Sequence, residues 1–74
     1  MSTDRIQIDP RVQHGKPVIR GTRVPVARIV GSLAGGMSPE TVQRDYGVTA
    51  EDVRAALEYA ERLIEEQQHF PLAG

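Results

Sequence analysis

The residues able to do covalent chemistry in this chain are few and far apart. Of the two histidines, His14 and His69, neither has a second ligand at zinc spacing, so no metal site is expected. A histidine without a paired nucleophile or carboxylate cluster reads as a structural hydrogen-bonder, and His14 is read so. Ser32 and Ser38 lack the base and orienting acid that a hydroxyl nucleophile needs. Gly35-Gly36 is too short, and too far from any strand, to cradle a phosphate. Cysteine is absent, which removes thiol chemistry and disulfides together. The expectation is a chain without catalysis and without a cofactor. What remains is charge, and charge implies binding.

That charge is unevenly placed. The net value is −1, yet residues 1–30 sum to +4 and residues 31–74 to −5. Such a split suits one face for a polyanion and another for a protein, although two ordinary solvated faces produce it equally well. Arg11, Lys16, Arg20 and Arg23 form the basic arm or ribbon that would sit on phosphates. Glu58, Glu61 and Glu65, followed by Phe70 and Leu72, form an acidic stretch with an apolar end suited to a basic protein partner.

The elements that position these groups follow from periodicity. Arg5 to Pro10 alternates apolar and polar residues and stops at a proline, as a short strand does. Lys16 to Pro25 holds two β-favouring patches around Gly21, read as a tight hairpin or an irregular extended loop. Val26, Ile29, Val30, Leu33 and Ala34 fall at helical spacing, with Pro25 suited to the first helical position and Gly35-Gly36 as the stop. Ser38-Pro39-Glu40 opens a second, short helix running to about Asp45, with Val42 and Tyr46 inward and Gly47 as its left-handed end. Thr49 caps a third helix, to which Asp52 can return a capping-box bond. Its stripe, Val53, Ala56, Leu57, Ala60, Leu63 and Ile64, is expected to face the core, while Glu58 and Arg62 pair on the outer face.

The fold expected is mainly α. It is a three-helix, homeodomain-like helix-turn-helix domain over residues 1–66, with an N-terminal β-hairpin or strand element. Residues 1–24 form the basic arm, 25–66 the helices and 67–74 a flexible tail. Thr41 to Leu57 carries the helix-turn-helix pattern, two helices around a turn glycine; Gln43 departs from it by filling a position where a small residue is common. A recognition helix would offer Arg54, Thr49 and the neighbouring Arg44 to DNA. Its first turn also presents Glu51 and Asp52, two carboxylates facing a polyanion.

A core this small rarely supplies more than roughly 3–5 kcal/mol unaided. With disulfides and metal set aside, self-association is the remaining staple, and a homodimer is expected. No apolar run approaches the ~18 residues of a membrane span, and Met1 to Arg5 lacks a leader-like stretch. A cytoplasmic location is expected.

The run His14-Gly15-Lys16-Pro17-Val18-Ile19-Arg20-Gly21-Thr22-Arg23-Val24-Pro25-Val26 carries a resemblance. Together with Gly36-Met37-Ser38-Pro39-Glu40 and Asp52-Val53-Arg54-Ala55-Ala56-Leu57, it is similar to the domain-of-unknown-function family 433. The likeness extends over about residues 5 to 65. It implies a homeodomain-like helical protein with an N-terminal β element, and an antitoxin of the VapB class that pairs with a PIN-like ribonuclease toxin and can repress its own operon. The alternatives are a stand-alone transcriptional regulator and a purely structural interaction module. Within the run, Gly21 permits a tight reversal, Thr22 can satisfy a neighbouring amide, and Arg23 projects a fork suited to carboxylate or phosphate. Equally, the segment can serve only to lock the hairpin onto the helices.

Overall fold

The computed structural model describes residues 5–67. Two strands and three α-helices follow in order, with a 3-10 turn (Gln13–Gly15) between the strands: β1 (Ile6–Gln7), β2 (Val18–Ile19), α1 (Val26–Ala34), α2 (Pro39–Tyr46) and α3 (Ala50–Gln67). The result is a mainly helical domain with a two-stranded antiparallel ladder, Ile6 opposite Ile19 and Gln7 opposite Val18. Among the described residues, no helix is long and apolar enough to cross a membrane.

The expected strand over 5–10 is realised over two residues only, because Asp9 starts a turn. Its carboxylate accepts from the Arg11 amide at 2.9 Å, and its carbonyl accepts from the Val12 amide at 2.8 Å. A tight turn, Gln13–Gly15, follows with all three residues at positive φ. The tight reversal expected between Lys16 and Pro25 is present. The Ile19 amide donates to the Val24 carbonyl at 2.9 Å, and the Val26 amide to the Pro17 carbonyl at 2.9 Å. Pro17 and Pro25 lack amides, so each joins this small ladder only through what it can still offer. Gly21, at φ 83°, makes the reversal. The Thr22 hydroxyl donates to the Ile19 carbonyl at 2.7 Å and accepts from the Val24 amide at 3.0 Å.

The helix ends follow the sequence closely. Pro25 stands one position earlier than expected, as the N-cap of α1, and no side chain caps that end. Past α1, the Gly36 amide donates to Leu33 and the Met37 amide to Ser32, both at 3.0 Å, with Gly36 at φ 106°. These two bonds are a Schellman closure. Ser38 caps α2 by accepting from the Thr41 amide at 3.1 Å, with Pro39 in the first turn. Gly47, at φ 68°, ends α2 one residue beyond the expected Asp45. The Thr49 and Asp52 capping box closes reciprocally, with both bonds at 3.0 Å.

The core sits where the ladder meets the helices: Val18 and Ile19 from β2, Val26 and Ile29 from α1, Val42 from α2, Val48 from the turn, and Val53, Ala55 and Ala56 from α3. Tyr46 is half-buried against it and shares a 2.8 Å hydrogen bond with Ser32. Here the structure corrects the expected stripe. Leu57, Leu63 and Ile64 are 44%, 43% and 57% exposed. The reason is length. At 1.5 Å per residue, α3 spans about 27 Å, whereas α1 and α2 span about 13 Å and 12 Å. Two short helices cover only the first half of a long one. The buried face of that half is also rotated, centred on Asp52, Ala55 and Ala56. Leu57 and Ile64, about two turns apart, therefore share one uncovered side.

Candidate interaction surfaces

Asp52 is the most constrained charged residue described. Its carboxylate accepts from the Thr49 amide at 3.0 Å and from the Arg5 guanidinium at 2.9 Å. Burial alone would raise its pKa, but the bonds from Thr49 and Arg5 outweigh that and hold it below the ordinary carboxylate value. Of the two acids in the first turn of α3, then, Asp52 is turned inward and buried, and Glu51 alone stays exposed. The objection that two carboxylates would face a polyanion is reduced by half.

The other candidate positions are dispersed. Arg11 is exposed but folded back onto Asp9, with bonds of 3.2 and 3.1 Å to the two carboxylate oxygens. That same contact lowers the Asp9 pKa. Arg20 is exposed and reaches the Ile6 carbonyl at 3.4 Å. Arg44 lies near Asp45 at 3.9 Å and bonds the Thr41 hydroxyl at 3.5 Å. Arg54 and Thr49 are exposed, although the Thr49 hydroxyl is already engaged by the Asp52 amide. Glu61 and Glu65 are exposed and Glu58 is half-buried; Phe70 and Leu72 lie outside the described residues.

Two concave surfaces organise several of these groups. A groove of about 500 Å³ runs between α1 and the second half of α3, walled by Val26, Ala27, Val30, Tyr59, Ala60 and Leu63, with Lys16 at its edge. Lys16, assigned to the basic arm, thus borders the acidic half of α3, and the two charge halves of the chain are not cleanly segregated in space. A smaller cleft of about 210 Å³ gathers Arg23 and Arg28 around Val24, Pro25, Tyr46 and Gln13. Sequence reasoning singled out Arg23 but missed Arg28, because Arg28 falls on the outer face of an amphipathic helix, where a charge is unremarkable.

The long His14 to Pro25 run is explained mostly by architecture. Gly15 and Gly21 occupy left-handed positions, Thr22 ties the reversal, and Val18 and Ile19 are fully buried. Fold and surfaces together define a small helical domain with a β-ladder clasp, an apolar groove and a basic cleft. The chain belongs to the family described as a protein of unknown function, DUF433, which matches residues 6–60. A protein of Mycobacterium tuberculosis bearing the provisional name antitoxin VapB45 is 42% identical over 53 residues, 72% of this chain and 22% of its own length. An uncharacterised protein y4eO of Sinorhizobium fredii is 43% identical over 53 residues, 70% of this chain and 24% of its own. The chain therefore spans under a quarter of these relatives' lengths. Among solved structures, a DUF433 member from Anabaena variabilis superposes with a TM-score of 0.78 at 37% identity, covering 90% of this chain and 67% of that one. The crystal structure of Rv2018 from Mycobacterium tuberculosis gives a TM-score of 0.65 at 42% identity, over 70% of this chain and 24% of that one.

Proposed function

We propose that this chain is the protein-binding module of an antitoxin and that it masks a ribonuclease toxin of the PIN-like kind. The observation that carries this reading is the uncovered face of α3. Leu63 and Ile64 stand exposed where the helix outruns its neighbours, Leu57 shares a side with Ile64, and Leu63 lines the apolar groove. At 100° per residue, Glu58, Glu61 and Glu65 lie together on the adjoining side. An apolar strip flanked by acids suits docking to a basic cleft, with the apolar contacts supplying affinity and the acids steering the approach. Glu58, Glu61, Glu65, Phe70 and Leu72 are the residues assigned to this contact. The relative named as an antitoxin supports the class of partner. The chain works as a cytoplasmic homodimer in this reading.

The test is co-expression with a nuclease encoded beside it, followed by purification through a tag on this chain. Near-stoichiometric recovery of the nuclease, lost when residues 58–74 are deleted and when Leu63→Arg is introduced, is the expected result. Full neutralisation by the truncated chain refutes the masking mechanism.

A second reading is a regulator that binds operator DNA, alone or beside the antitoxin role. The inward turn of Asp52 favours it, since the start of α3 then offers Thr49 and Arg54 with a single opposing carboxylate. Arg11, Lys16, Arg20, Arg23 and Arg44 would supply phosphate contacts in this reading. Loss of upstream-DNA binding in Arg54→Ala, with the fold intact, is its expected signature.

A further inference from the structure

We infer that the cleft between Arg23 and Arg28 is a phosphate-binding site that takes the backbone of a nucleic acid. This deepens the DNA-binding reading and rests on it; it stands apart from the masking reading, because the cleft uses none of the groups assigned to a protein partner.

The chemistry is that of an anion site with an apolar floor. Arg23 and Arg28 are both exposed and both line the cleft, and among the described residues neither has an ion-pair partner. No carboxylate lines it. Asp45, next in sequence to the lining Tyr46, is directed to Arg44 at 3.9 Å. Two guanidinium forks around one opening can each donate a pair of hydrogen bonds to phosphate oxygens, a geometry a lysine cannot supply. The walls are held in place. Tyr46 is fixed by its 2.8 Å bond to Ser32, and Arg23 leaves the reversal that Thr22 ties. Gln13, whose side-chain amide can add a neutral donor, is held at φ 51° in the left-handed turn. Non-glycine residues rarely adopt that conformation, so the fold maintains it against a local preference.

A nucleic-acid backbone fits better than a lone anion because further cations flank the cleft residues in the sequence. Residues 9–28 carry Arg11, Lys16, Arg20, Arg23 and Arg28 against the single acid Asp9, which Arg11 already engages. A repeating polyanion uses such a spread of charge, and a single phosphate does not. An acidic protein segment is the competing occupant.

The experiment is a salt titration of the intact chain with a fluorescent 20-base-pair duplex, comparing the parent with Arg23→Ala, Arg28→Ala, the double variant and Arg62→Ala. Arg62 is exposed on the far half of α3, so its removal changes net charge by the same amount without touching the cleft. Expected is a fall of about 0.9 in the slope of log K against log salt for each cleft arginine lost, with at least tenfold weaker binding in the double variant. Arg62→Ala should leave the slope unchanged. NMR of the same samples should show the Gln13 side-chain amide and the Arg23 and Arg28 Nε signals shifting on duplex addition. The assignment is overturned by a double variant that binds like the parent, or by an Arg62→Ala slope that falls equally. It is also overturned if inorganic phosphate or a polyglutamate peptide shifts the cleft signals while the duplex does not. Circular dichroism confirms that each variant is folded, and recovery of a nuclease partner is scored separately.

Discussion

Arg5 and Asp52 meet at 2.9 Å across a sequence separation of 47 residues, joining the chain ahead of β1 to the first turn of α3. The contact is made by the same carboxylate that caps α3 through Thr49, so one side chain closes a helix end and anchors the ladder to it. Asp52→Ala removes both functions and should destabilise the fold by about 1–2 kcal/mol, the range for a lost cap. For a domain this small, each kcal/mol is about 4–8 °C in Tm. Arg5→Ala should cost less, within the roughly 0–1 kcal/mol of a solvent-exposed pair, because the Arg5 side chain is 42% exposed. Thermal melts of the two single variants and the double variant, run as a cycle, measure the coupling. A strictly additive double variant would show that the two residues do not interact.

The same carboxylate sets an acid limit. Asp52 has a lowered pKa in the fold, so it binds a proton more weakly there than in the unfolded chain. Its contribution is fully present above the unfolded value of about 4 and is lost as pH falls through the depressed folded value. Urea midpoints taken between pH 7 and pH 2 should hold steady down to about pH 4 and drop below it. Asp52→Asn should flatten part of that drop. An unchanged acid limb in the variant assigns the sensitivity elsewhere.

Two glycines should respond oppositely to the same methyl group. Gly47 has open space around it but sits at φ 68°, so Gly47→Ala should lose about 1 kcal/mol from backbone strain alone. Gly31 lies inside α1 without a positive φ, and a Cβ there would meet nothing within 4 Å. Gly31→Ala should therefore stabilise by about 0.5–1 kcal/mol. Denaturant titration of both variants decides the matter, and a destabilised Gly31→Ala would contradict the helix as described. Because Gly31 also borders the apolar groove, the added methyl should weaken partner docking while strengthening the fold.

Leu63 and Ile64 should separate binding from stability. Both are exposed, so Leu63→Arg and Ile64→Arg should each leave Tm within about 2–3 °C of the parent, a change of at most ~0.5 kcal/mol. In the masking reading, each should weaken the complex with its partner at least tenfold. Isothermal titration with the purified partner measures this, and equal affinity would remove the strip from the interface.

Much of the framework was legible in the sequence because punctuation residues act locally. Ser38, Pro39, Gly47, Thr49 and Asp52 sit within a few residues of the amides and carbonyls they satisfy, and each is found at a helix end. The ladder between Ile6 and Ile19 was less legible, since an alternating strand announces itself but not its partner. The left-handed Gln13 and His14 were invisible, since few non-glycine residues adopt that conformation and even histidine, which enters it more often than most, does not announce it in a sequence. The stripe on α3 misled for a geometric reason: periodicity shows which residues share a face, while burial of Leu63 also needs a neighbouring helix long enough to reach it. The Arg23 and Arg28 cleft was hidden in the same way, because one arginine comes from a reversal and the other from a helix. Of the assigned partner residues, Phe70 and Leu72 fall outside the described segment.

The mismatch in helix length has a kinetic counterpart. Amides in the first half of α3 lie under α1 and α2 and should exchange with solvent only when the whole fold opens. Those beyond about Glu61 are held by their own helix alone, and an isolated two-turn helix is marginal in water. Their exchange should be faster by orders of magnitude. The molecule therefore carries an internal standard: any ligand that closes over the strip will slow the outer amides and barely change the inner ones, so protection along one helix reports occupancy residue by residue.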